Sequence, residues 1–476
     1  MRGEGGPGGD AADGGAADGG AADGGAADGG AADGGAADGG AADGGERGAD
    51  GPGDEGLLGG LLRDGQLAAL EDLPGLVGAH ADQAGLAHAM LYVADLQQQF
   101  LLPLPGQRDE TGAPLDRIAI DTTIPGLAFR GMEPVQGRTA TAAGDPADPC
   151  PGPLPGPSAG SSAGSSAEEG PRRLWVPLLN GTERLGVLGV IVPHAGPDVL
   201  ARVTRLAGLV TLLVQSKRPF SDVYAQLVRT RPMALSAEVL WNLMPGATFA
   251  NDRVVVSAAL EPAYEVGGDA FDFALNGDVL RLSIFDAMGH DTSAGLTATI
   301  AVGCWRKHRR EGADVLAAGD AVDDAIAGQF ATTRFATGIL ADLDTRTGWL
   351  VWANRGHPPP VVLRRGQLVA TLDAGSGTPM GLGLGVPTEL GRYQLEPGDR
   401  LLLYTDGVIE AQDPHGELFG LDRFIDFVIK READGVSAPE TLRRLINTIL
   451  DHQRGWLQDD ATVLLVEWCA QPQHTS

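Results

Sequence analysis

The fold of the C-terminal half is decided by the stretch Leu280–His290, which reads Leu-Arg-Leu-Ser-Ile-Phe-Asp-Ala-Met-Gly-His. Its first half predicts a strand, and Asp286 follows at the end of that strand. Three more short acidic motifs lie in the same half of the chain: Val266–Asp269, Tyr404–Gly407 and Asp459–Thr462. The last two also adjoin apolar runs, so the sequence predicts several carboxylates at the ends of buried strands.

These carboxylates predict a metal centre. A carboxylate at the end of a buried strand is costly to leave unpaired, and converging carboxylates repel one another unless cations lie between them. Hard oxygen ligands without His or Cys partners indicate Mg²⁺ or Mn²⁺ rather than zinc. Two such ions a few ångströms apart are a common device for the attack of water on a phosphate ester.

In their order and in their residues, the motifs resemble those of the PPM, or type-2C, metal-dependent serine/threonine protein phosphatases. They are most similar to the bacterial branch that includes the sporulation stage II E phosphatase and the stress-response phosphatases of partner-switching pathways. The resemblance spans about residues 249–468. Besides the four motifs above, it rests on Glu261–Ala263, Asn354–Pro359, Gly377–Gly381 and Leu395–Asp399.

The resemblance implies an α/β fold, an α-β-β-α sandwich of two antiparallel sheets flanked by helices. It implies that Asp269, Asp286, Asp406 and Asp459 hold two Mn²⁺ or Mg²⁺ ions, with the carbonyl of Ala287 beside them. The implied reaction is hydrolysis of a phosphoprotein by metal-activated water, and the implied substrate is a phosphorylated anti-anti-sigma factor of the STAS type. The alternative is a non-catalytic signalling module that retains the fold. Loss of a metal-site aspartate would favour that module, and all four are present.

Two positions depart from the relatives. Asp291 replaces the last Gly of the second motif, and Arg355 replaces Ala in Asn-Ala-Gly-His. Arg355 is expected either at a strand end in solvent, which we favour, or against a phosphate or an acidic partner surface. His290 is expected to shape the turn at Gly289. A catalytic role for His290 as general acid is the alternative, although the eukaryotic pattern places its histidine where Met288 stands.

The charge of −28 limits the partners of the chain. Residues 1–56 contain 13 acidic and 2 basic residues, so −11 of that charge lies there and −17 in the rest. Such a chain is not expected to bind nucleic acid or anionic membranes nonspecifically. The first residues predict no secretory signal, and the apolar stretch 206–214 is too short to span a bilayer. A cytoplasmic protein is therefore expected. Cys150, Cys304 and Cys469 form no disulfide framework.

The composition divides the chain into four parts. Residues 1–56, with seven copies of Ala-Ala-Asp-Gly-Gly, predict a disordered tail that has no apolar face to bury. Residues 57–215 predict a mixed α/β domain with a flexible insertion at 141–171, which is rich in Pro, Gly, Ser and Ala. Residues 216–248 predict a helical linker, and residues 249–470 predict the phosphatase-like domain.

The domain at 57–215 resembles a GAF sensor domain. The most similar part is the predicted hairpin Trp175–Val190, which turns at Asn180-Gly181. Its ligand stays unknown, because its three histidines are scattered and a lone histidine is more often structural than a haem ligand. A domain that only supports dimer contacts is an equal alternative.

Between the two domains, Leu235–Met244 predicts a short helix, separated by Pro232 from an earlier helical piece. It is expected to be a regulatory switch helix or the coiled-coil seam of a homodimer. A plain linker helix that docks on the sheet is an equally favoured alternative. The alternatives stay open because apolar heptads do not persist here.

Overall fold

The computed structural model describes residues 52–109, 111–139, 171–373, 375–455 and 457–469. These residues belong to one compact unit. Most of the tail predicted at 1–56 and of the insertion predicted at 141–171 lies outside the described residues. Helix α1 begins at Pro52, four residues before the end that the sequence predicted for the tail. Proline is well suited to the first position of a helix, because its missing N–H would have no partner there.

The described residues of the N-terminal domain form six strands and four α-helices. The strands are β1 (Ala87–Ala94), β2 (Phe100–Pro103), β3 (Ile118–Ala119), β4 (Val135–Thr139), β5 (Arg172–Asn180) and β6 (Glu183–Val192). The helices are α1 (Pro52–Gly65), α2 (Leu73–Gln83), α3 (Ile124–Gly131) and α4 (Pro197–Lys217). The strands form one antiparallel sheet in the order β3-β2-β1-β6-β5-β4. The predicted β5–β6 hairpin is confirmed, and Gly181 in its turn has a φ of 60°.

Both faces of this sheet are covered. On one face, Leu91 and Leu188 pack with residues of α1, α2 and α4. On the other face, Tyr92 and Trp175 pack with Phe129 of α3, and the rings of Tyr92 and Trp175 meet edge to face with centroids 5.9 Å apart. Successive residues of a strand point to opposite faces, which is why Leu91 and Tyr92 belong to different clusters.

Helix α4 continues through a 3₁₀ turn to Phe220. Within the described ranges, this 24-residue segment is the one helix long and apolar enough to cross a membrane by length and composition. The apolar segment is thus longer than the stretch 206–214 considered above. Helix α4 packs on the sheet and buries Val203, Leu206 and Val210. A buried core helix has the same length and composition as a spanning helix, so this feature alone does not indicate a membrane.

The linker contains two helices, α5 (Asp222–Val228) and α6 (Leu235–Leu243), on either side of Pro232 as predicted. Helix α6 docks on the C-terminal domain and buries Ala237 and Leu240. Ser236 Oγ donates to the carbonyl of Val266 at 2.8 Å, and Trp241 Nε1 donates to the carbonyl of Ala263 at 2.7 Å. The docked arrangement therefore ties α6 to the loop that leads into Asp269.

The C-terminal domain contains eleven described strands and five described helices. The strands are β7 (Thr248–Ala250), β8 (Val254–Glu261), β9 (Asp269–Asn276), β10 (Val279–Ala287), β11 (Ala336–Asp344), β12 (Trp349–Arg355), β13 (Val361–Arg364), β14 (Gln367–Thr371), β15 (Leu390–Gln394), β16 (Arg400–Tyr404) and β17 (Ala461–Trp468). The helices are α7 (Thr292–Arg310), α8 (Val315–Phe330), α9 (Asp406–Ile409), α10 (Leu421–Ala433) and α11 (Ala438–His452).

These strands form two antiparallel sheets, in the orders β15-β12-β11-β10-β9 and β14-β13-β16-β17-β8-β7. One apolar cluster joins both sheets with α7 and α8, and includes Ile284, Leu403 and Leu464. A second cluster lies between the six-stranded sheet and the helices α10 and α11, and includes Phe424 and Leu465. The predicted sandwich of two sheets flanked by helices is confirmed.

The two domains meet through the β1–β2 turn and strand β6. Arg184 on β6 is buried and donates to Glu440 Oε2 on α11 at 2.7 Å. Arg443 on α11 donates to the backbone carbonyl of Gln98 at 3.3 Å and to Asp121 Oδ1 at 2.5 Å. The junction is therefore built from charged and polar groups, of which Arg184 and Arg443 are buried.

Candidate metal centre

The predicted aspartates lie at the ends of strands from both sheets. Asp269 begins β9 and is paired with Asp286 on β10 in the ladder of the five-stranded sheet. Asp406 is the first residue of α9 and is separated from the end of β16 by Thr405, and Asp459 precedes β17. Strands β16 and β17 are neighbours in the six-stranded sheet. The sandwich thus brings motifs from four distant parts of the sequence to one edge.

Asp460, which the sequence did not assign as a ligand, holds the loop that carries Asp269. Its Oδ2 accepts hydrogen bonds from the backbone N–H groups of Gly267 and Gly268, both at 2.8 Å, and of Asp269 at 3.1 Å. Three backbone donors on one buried carboxylate oxygen fix the loop against β17. The doubled acidic residue of the fourth motif was the signal that could have indicated this role.

Thr405 holds the side chain of Asp269. Its Oγ1 donates to Asp269 Oδ2 at 2.8 Å and accepts from the backbone N–H of Thr462 at 2.9 Å. Both threonines are fully buried. The hydroxyl therefore connects strand β17, strand β16 and the first predicted ligand in one chain of hydrogen bonds.

The two glycines before Asp269 are required by close packing. A Cβ atom at Gly268 would lie 2.4 Å from the carbonyl oxygen of Ala287, and one at Gly267 would lie 2.5 Å from the Cα of His290. Any side chain there would push the Asp269 loop away from the end of β10. The Gly-Gly pair is thus what lets the first two motifs approach each other.

The clustered carboxylates raise one another's pKa. Burial, followed by the charges of Asp286 and Asp460, raises the pKa of Asp269 well above its usual value. Burial, followed by the charges of Asp406, Asp459 and Asp460, raises the pKa of Asp286 to about 7. Burial and the charge of Asp459 also raise the pKa of Asp406. The four predicted ligands therefore lie within electrostatic reach of one another, and a cation between them would relieve the repulsion.

The donor set fits a hard divalent cation. Across the residues that the structure describes, no three His, Cys, Asp or Glu side chains are arranged to hold one ion by themselves. Mg²⁺ commonly takes one or two carboxylates and completes its shell with waters and other oxygens. The carbonyl of Ala287, at the end of β10, is one such oxygen. The assignment of Asp269, Asp286, Ala287, Asp406 and Asp459 as ligands stays a prediction.

His290 lies at an open cleft of about 560 Å³ beside these aspartates. The cleft is also lined by Leu235 of α6, by Glu265 and by Asp459. Gly289 before it has a φ of 88°, which suits the expected turn, and the backbone of His290 packs under Gly267. The exposed imidazole faces no assigned partner among the described residues, so its role as general acid stays a prediction.

Asp291, the first departure from the relatives, has a structural role. Its Oδ1 accepts from the backbone N–H of Ala294 at 2.9 Å and caps helix α7. Its Oδ2 accepts from Arg334 at 3.0 Å, and Arg334 also donates to the carbonyl of Met288 at 3.0 Å. Arg334 and Asp291 together hold the loop that follows Asp286.

Arg355, the second departure, lies in neither of the expected environments. It is only 3% exposed and pairs with Asp320 on α8. A Cβ at Gly319 would come within 3.1 Å of the Arg355 guanidinium, so the glycine leaves the space this side chain needs. The favoured expectation of a solvated strand end is wrong, because the chain places α8 directly over β12.

The loop that follows Arg355 contains a buried histidine. His357 Nδ1 and Thr337 Oγ1 are hydrogen-bonded at 2.8 Å. The Asn354 side chain donates through Nδ2 to the carbonyl of His357 and accepts through Oδ1 from the backbone N–H of His357. Burial lowers the pKa of His357 to about 3. The neutral imidazole therefore braces the loop beside β11, which is the structural reason for the Asn354–His357 motif.

Glu261, at the end of β8, links the site to the N-terminal domain. It accepts a hydrogen bond from Gln97 in the β1–β2 turn, and its Oε2 accepts from the backbone N–H of Ala263 at 3.1 Å. Burial raises the pKa of Glu261 to about 7, against the lowering effect of those hydrogen bonds. The sequence marked Glu261 only as part of a motif and gave no sign of its partner.

Residues 276–469 match the family model of Stage II sporulation protein E (SpoIIE). The match includes Asp286, Asp406 and Asp459 and begins after Asp269. A curated relative, Protein IcfG of Synechocystis, is 25% identical over 244 residues, which cover 44% of this chain and 37% of IcfG. The chain thus spans less than two fifths of the length of that relative.

Solved structures are similar over about half of the chain. The RsbU and RsbW domains of Rv1364c from Mycobacterium tuberculosis are 24% identical with a TM-score of 0.40, covering 48% of this chain and 64% of that one. The SiaA-PP2C domain of Pseudomonas aeruginosa is 21% identical with a TM-score of 0.41, covering 49% of this chain and 94% of that one. The resemblance of the N-terminal domain to GAF domains stays a prediction. The family match covers residues 276–469, which is less than half of the chain, and it shows that this C-terminal region is similar to the SpoIIE family.

Proposed function

We propose that this chain is a metal-dependent protein serine/threonine phosphatase that is regulated by its N-terminal domain. The observation that carries the proposal is the convergence of Asp269, Asp286, Asp406 and Asp459 from the ends of strands in both sheets. Clustered carboxylates with raised pKa values are typical of functional sites. Oxygen-only donors at the mouth of an open cleft favour hydrolysis at phosphate over chemistry that needs a thiol or an imidazole ligand.

The chain's own residues position the site. Two Mn²⁺ or Mg²⁺ ions held by these aspartates would supply an activated water for in-line attack on phosphorus. Thr405 fixes the carboxylate of Asp269, and Asp460 fixes the loop behind it. Gly267 and Gly268 allow that loop to reach the end of β10. The reaction needs no Ser or Cys nucleophile, so no phosphoenzyme is formed.

The proposed substrate is a phosphorylated anti-anti-sigma factor of the STAS type. The support is the resemblance of the motifs to the partner-switching branch of the phosphatases. The cleft beside Asp459 is open to solvent between α6 and His290, so a phosphoserine or phosphothreonine on a protein surface has access to it. The proposed setting is the cytoplasm, as expected from the sequence.

The proposed regulation acts through the elements that contact the Asp269 loop. Ser236 and Trp241 of α6 bond to the carbonyls of Val266 and Ala263, and Gln97 of the N-terminal domain bonds to Glu261. A change in the N-terminal domain that moved either contact would shift the loop. Coupling of this kind is typically about 1–3 kcal/mol, or roughly 5- to 150-fold.

The test is phosphate release from a phosphorylated STAS protein by the full chain, with Mn²⁺ and with EDTA. We expect release with Mn²⁺ only, and we expect the Asp406→Asn variant to release none. Stable binding of the phosphorylated protein without release at any metal concentration would favour the alternative, a non-catalytic signalling module that retains the fold.

A further inference from the structure

A second cleft, of about 330 Å³, lies where helix α3 of the N-terminal domain meets helices α10 and α11. It shares no lining residue with the cleft beside the aspartates. Four arginines line it, Arg130, Arg431, Arg443 and Arg444, against the two carboxylates of Asp121 and Asp451. In a chain with a net charge of −28, this cleft is a local concentration of positive charge.

One of the four arginines is fully engaged by the protein. Arg443 donates through Nε and Nη2 to Glu440 at 2.8 and 3.0 Å, and through Nη2 to Asp121 at 2.5 Å. Its Nη1 donates to the carbonyl of Gln98 at 3.3 Å. Its side chain is 4% exposed. Arg443 therefore forms part of the wall of the cleft and is not available to bind a ligand.

The other three arginines keep unused donors. Arg444 donates through Nε to Glu440 at 2.7 Å, Arg431 through Nη1 to Asp434 at 3.2 Å, and Arg130 through Nη2 to the carbonyl of Asp121 at 3.3 Å. The Nε atoms of Arg130 and Arg431 are buried and have no acceptor in the described part of the chain. A guanidinium carries five N–H donors, and a buried donor without a partner is unfavourable.

We propose that this cleft binds a small, multiply charged phosphate compound that bridges the two domains. The planar fork of arginine matches the oxygens of a phosphate group in pairs. Three partly buried guanidinium groups around one cleft favour an anion with more than one negative charge. The volume lies at the lower end of the range for small-molecule sites, roughly 300–1,000 Å³. This inference goes beyond the proposed phosphatase reaction and does not depend on it.

The position of the cleft gives the ligand contacts in both domains. Arg130 is in the last turn of α3, whereas Arg431 and Arg444 are on α10 and α11. A phosphate compound that bonded to both sets would draw the domains together next to Glu440. Binding is therefore expected to raise the melting temperature of the full chain.

The test is a calorimetric titration of the full chain with pyrophosphate in EDTA. EDTA removes divalent ions, so pyrophosphate cannot bind at the aspartate site through a metal ion. We expect saturable binding that weakens as NaCl is added. Arg130→Gln and Arg431→Gln should each weaken it about 10- to 100-fold, because each removes charge-assisted hydrogen bonds. Arg431→Lys, which keeps the charge and loses the fork, should give an intermediate affinity.

Arg423→Gln is the matched control. Arg423 is on the same helix as Arg431 and lies over the ring of Phe419, as Arg431 lies over the ring of Phe427, yet it is outside the cleft. Its replacement should leave the affinity unchanged. The absence of saturable binding, or equal affinity in the wild type and both glutamine variants, would overturn the proposal. Equal weakening by Arg423→Gln would do so as well. Circular dichroism of each variant confirms that it is folded before it is scored.

Discussion

Arg184 Nη1 donates to Glu440 Oε2 at 2.7 Å, and the two side chains are 1% and 2% exposed although 256 residues separate them in the chain. Glu440 also accepts from Arg443 and Arg444, so one buried carboxylate receives three guanidinium groups. Burial alone would raise the pKa of Glu440, but the hydrogen bonds from Arg443 and the charge of Arg184 lower it to about 2. The carboxylate is therefore ionised at neutral pH and holds the two domains in one orientation.

The variant Glu440→Gln should destabilise the full chain. It keeps the shape of the side chain but leaves Arg184 buried without its counter-charge, and breaking a buried pair in this way costs about 3–5 kcal/mol. Urea unfolding gives the free energy of unfolding. The matched control is Glu417→Gln, whose exposed pair with Arg423 should contribute at most about 1 kcal/mol. Equal stabilities of Glu440→Gln and the wild type would show that the pair does not fasten the junction.

The pKa of Glu261 predicts a pH dependence of stability. Its folded-state pKa of about 7 lies above the value of 4.5 for an unperturbed Glu, so proton binding favours the folded state. This stabilisation is complete below about pH 4.5 and is lost as the pH rises through 7. Relative to Glu261→Gln, the wild type should lose on the order of 2 kcal/mol between pH 5 and pH 8 in metal-free buffer.

The control for Glu261→Gln is Glu265→Gln. Glu265 is an exposed carboxylate four residues further along the chain. Its pH profile should run parallel to that of the wild type. If Glu261→Gln also ran parallel to the wild type, the carboxylate would not be the buried, protonated partner of Gln97 that the structure indicates.

Asp286→Asn and Asp406→Asn should each abolish Mn²⁺-dependent hydrolysis of p-nitrophenyl phosphate. Each variant removes one negative charge and one anionic oxygen ligand without changing side-chain size. The metal-free Asp286→Asn protein should also melt at a higher temperature than the wild type, because the repulsion from Asp406 and Asp459 is relieved. Asp422→Asn, at an exposed position on α10, is the control. Wild-type activity in a purified Asp406→Asn protein would refute the proposed site.

Thr405→Val should weaken the metal site without removing any ligand. The change leaves Asp269 Oδ2 and the N–H of Thr462 without their shared hydroxyl partner. Loss of such a supporting hydrogen bond typically weakens metal affinity or activity about 10- to 100-fold, which a Mn²⁺ titration of activity measures. Thr405→Ser keeps the hydroxyl and should restore most of the affinity. An unchanged Mn²⁺ requirement in Thr405→Val would mean that the orientation of Asp269 does not depend on Thr405.

Much of the architecture could be predicted because local signals agree with the tertiary structure. Alternating apolar residues predicted β8 and β10, and Asn180-Gly181 predicted the hairpin in the N-terminal domain. Proline at 232 divided the linker into two helices. The resemblance to the type-2C phosphatases also implied that Asp286 and Asp406 would approach each other, and the charge of Asp406 does raise the pKa of Asp286.

What the sequence determined by itself is which residues end the buried strands and that several of them carry charge. The tertiary structure alone decided which partner each charge receives. It buried Arg355 against Asp320 instead of exposing it, and gave Asp460 three backbone donors. It also placed Glu440 against Arg184 of the other domain. These pairings depend on groups far apart in the chain, and the free energy of a buried charge is set by the partners that surround it rather than by its neighbours in sequence.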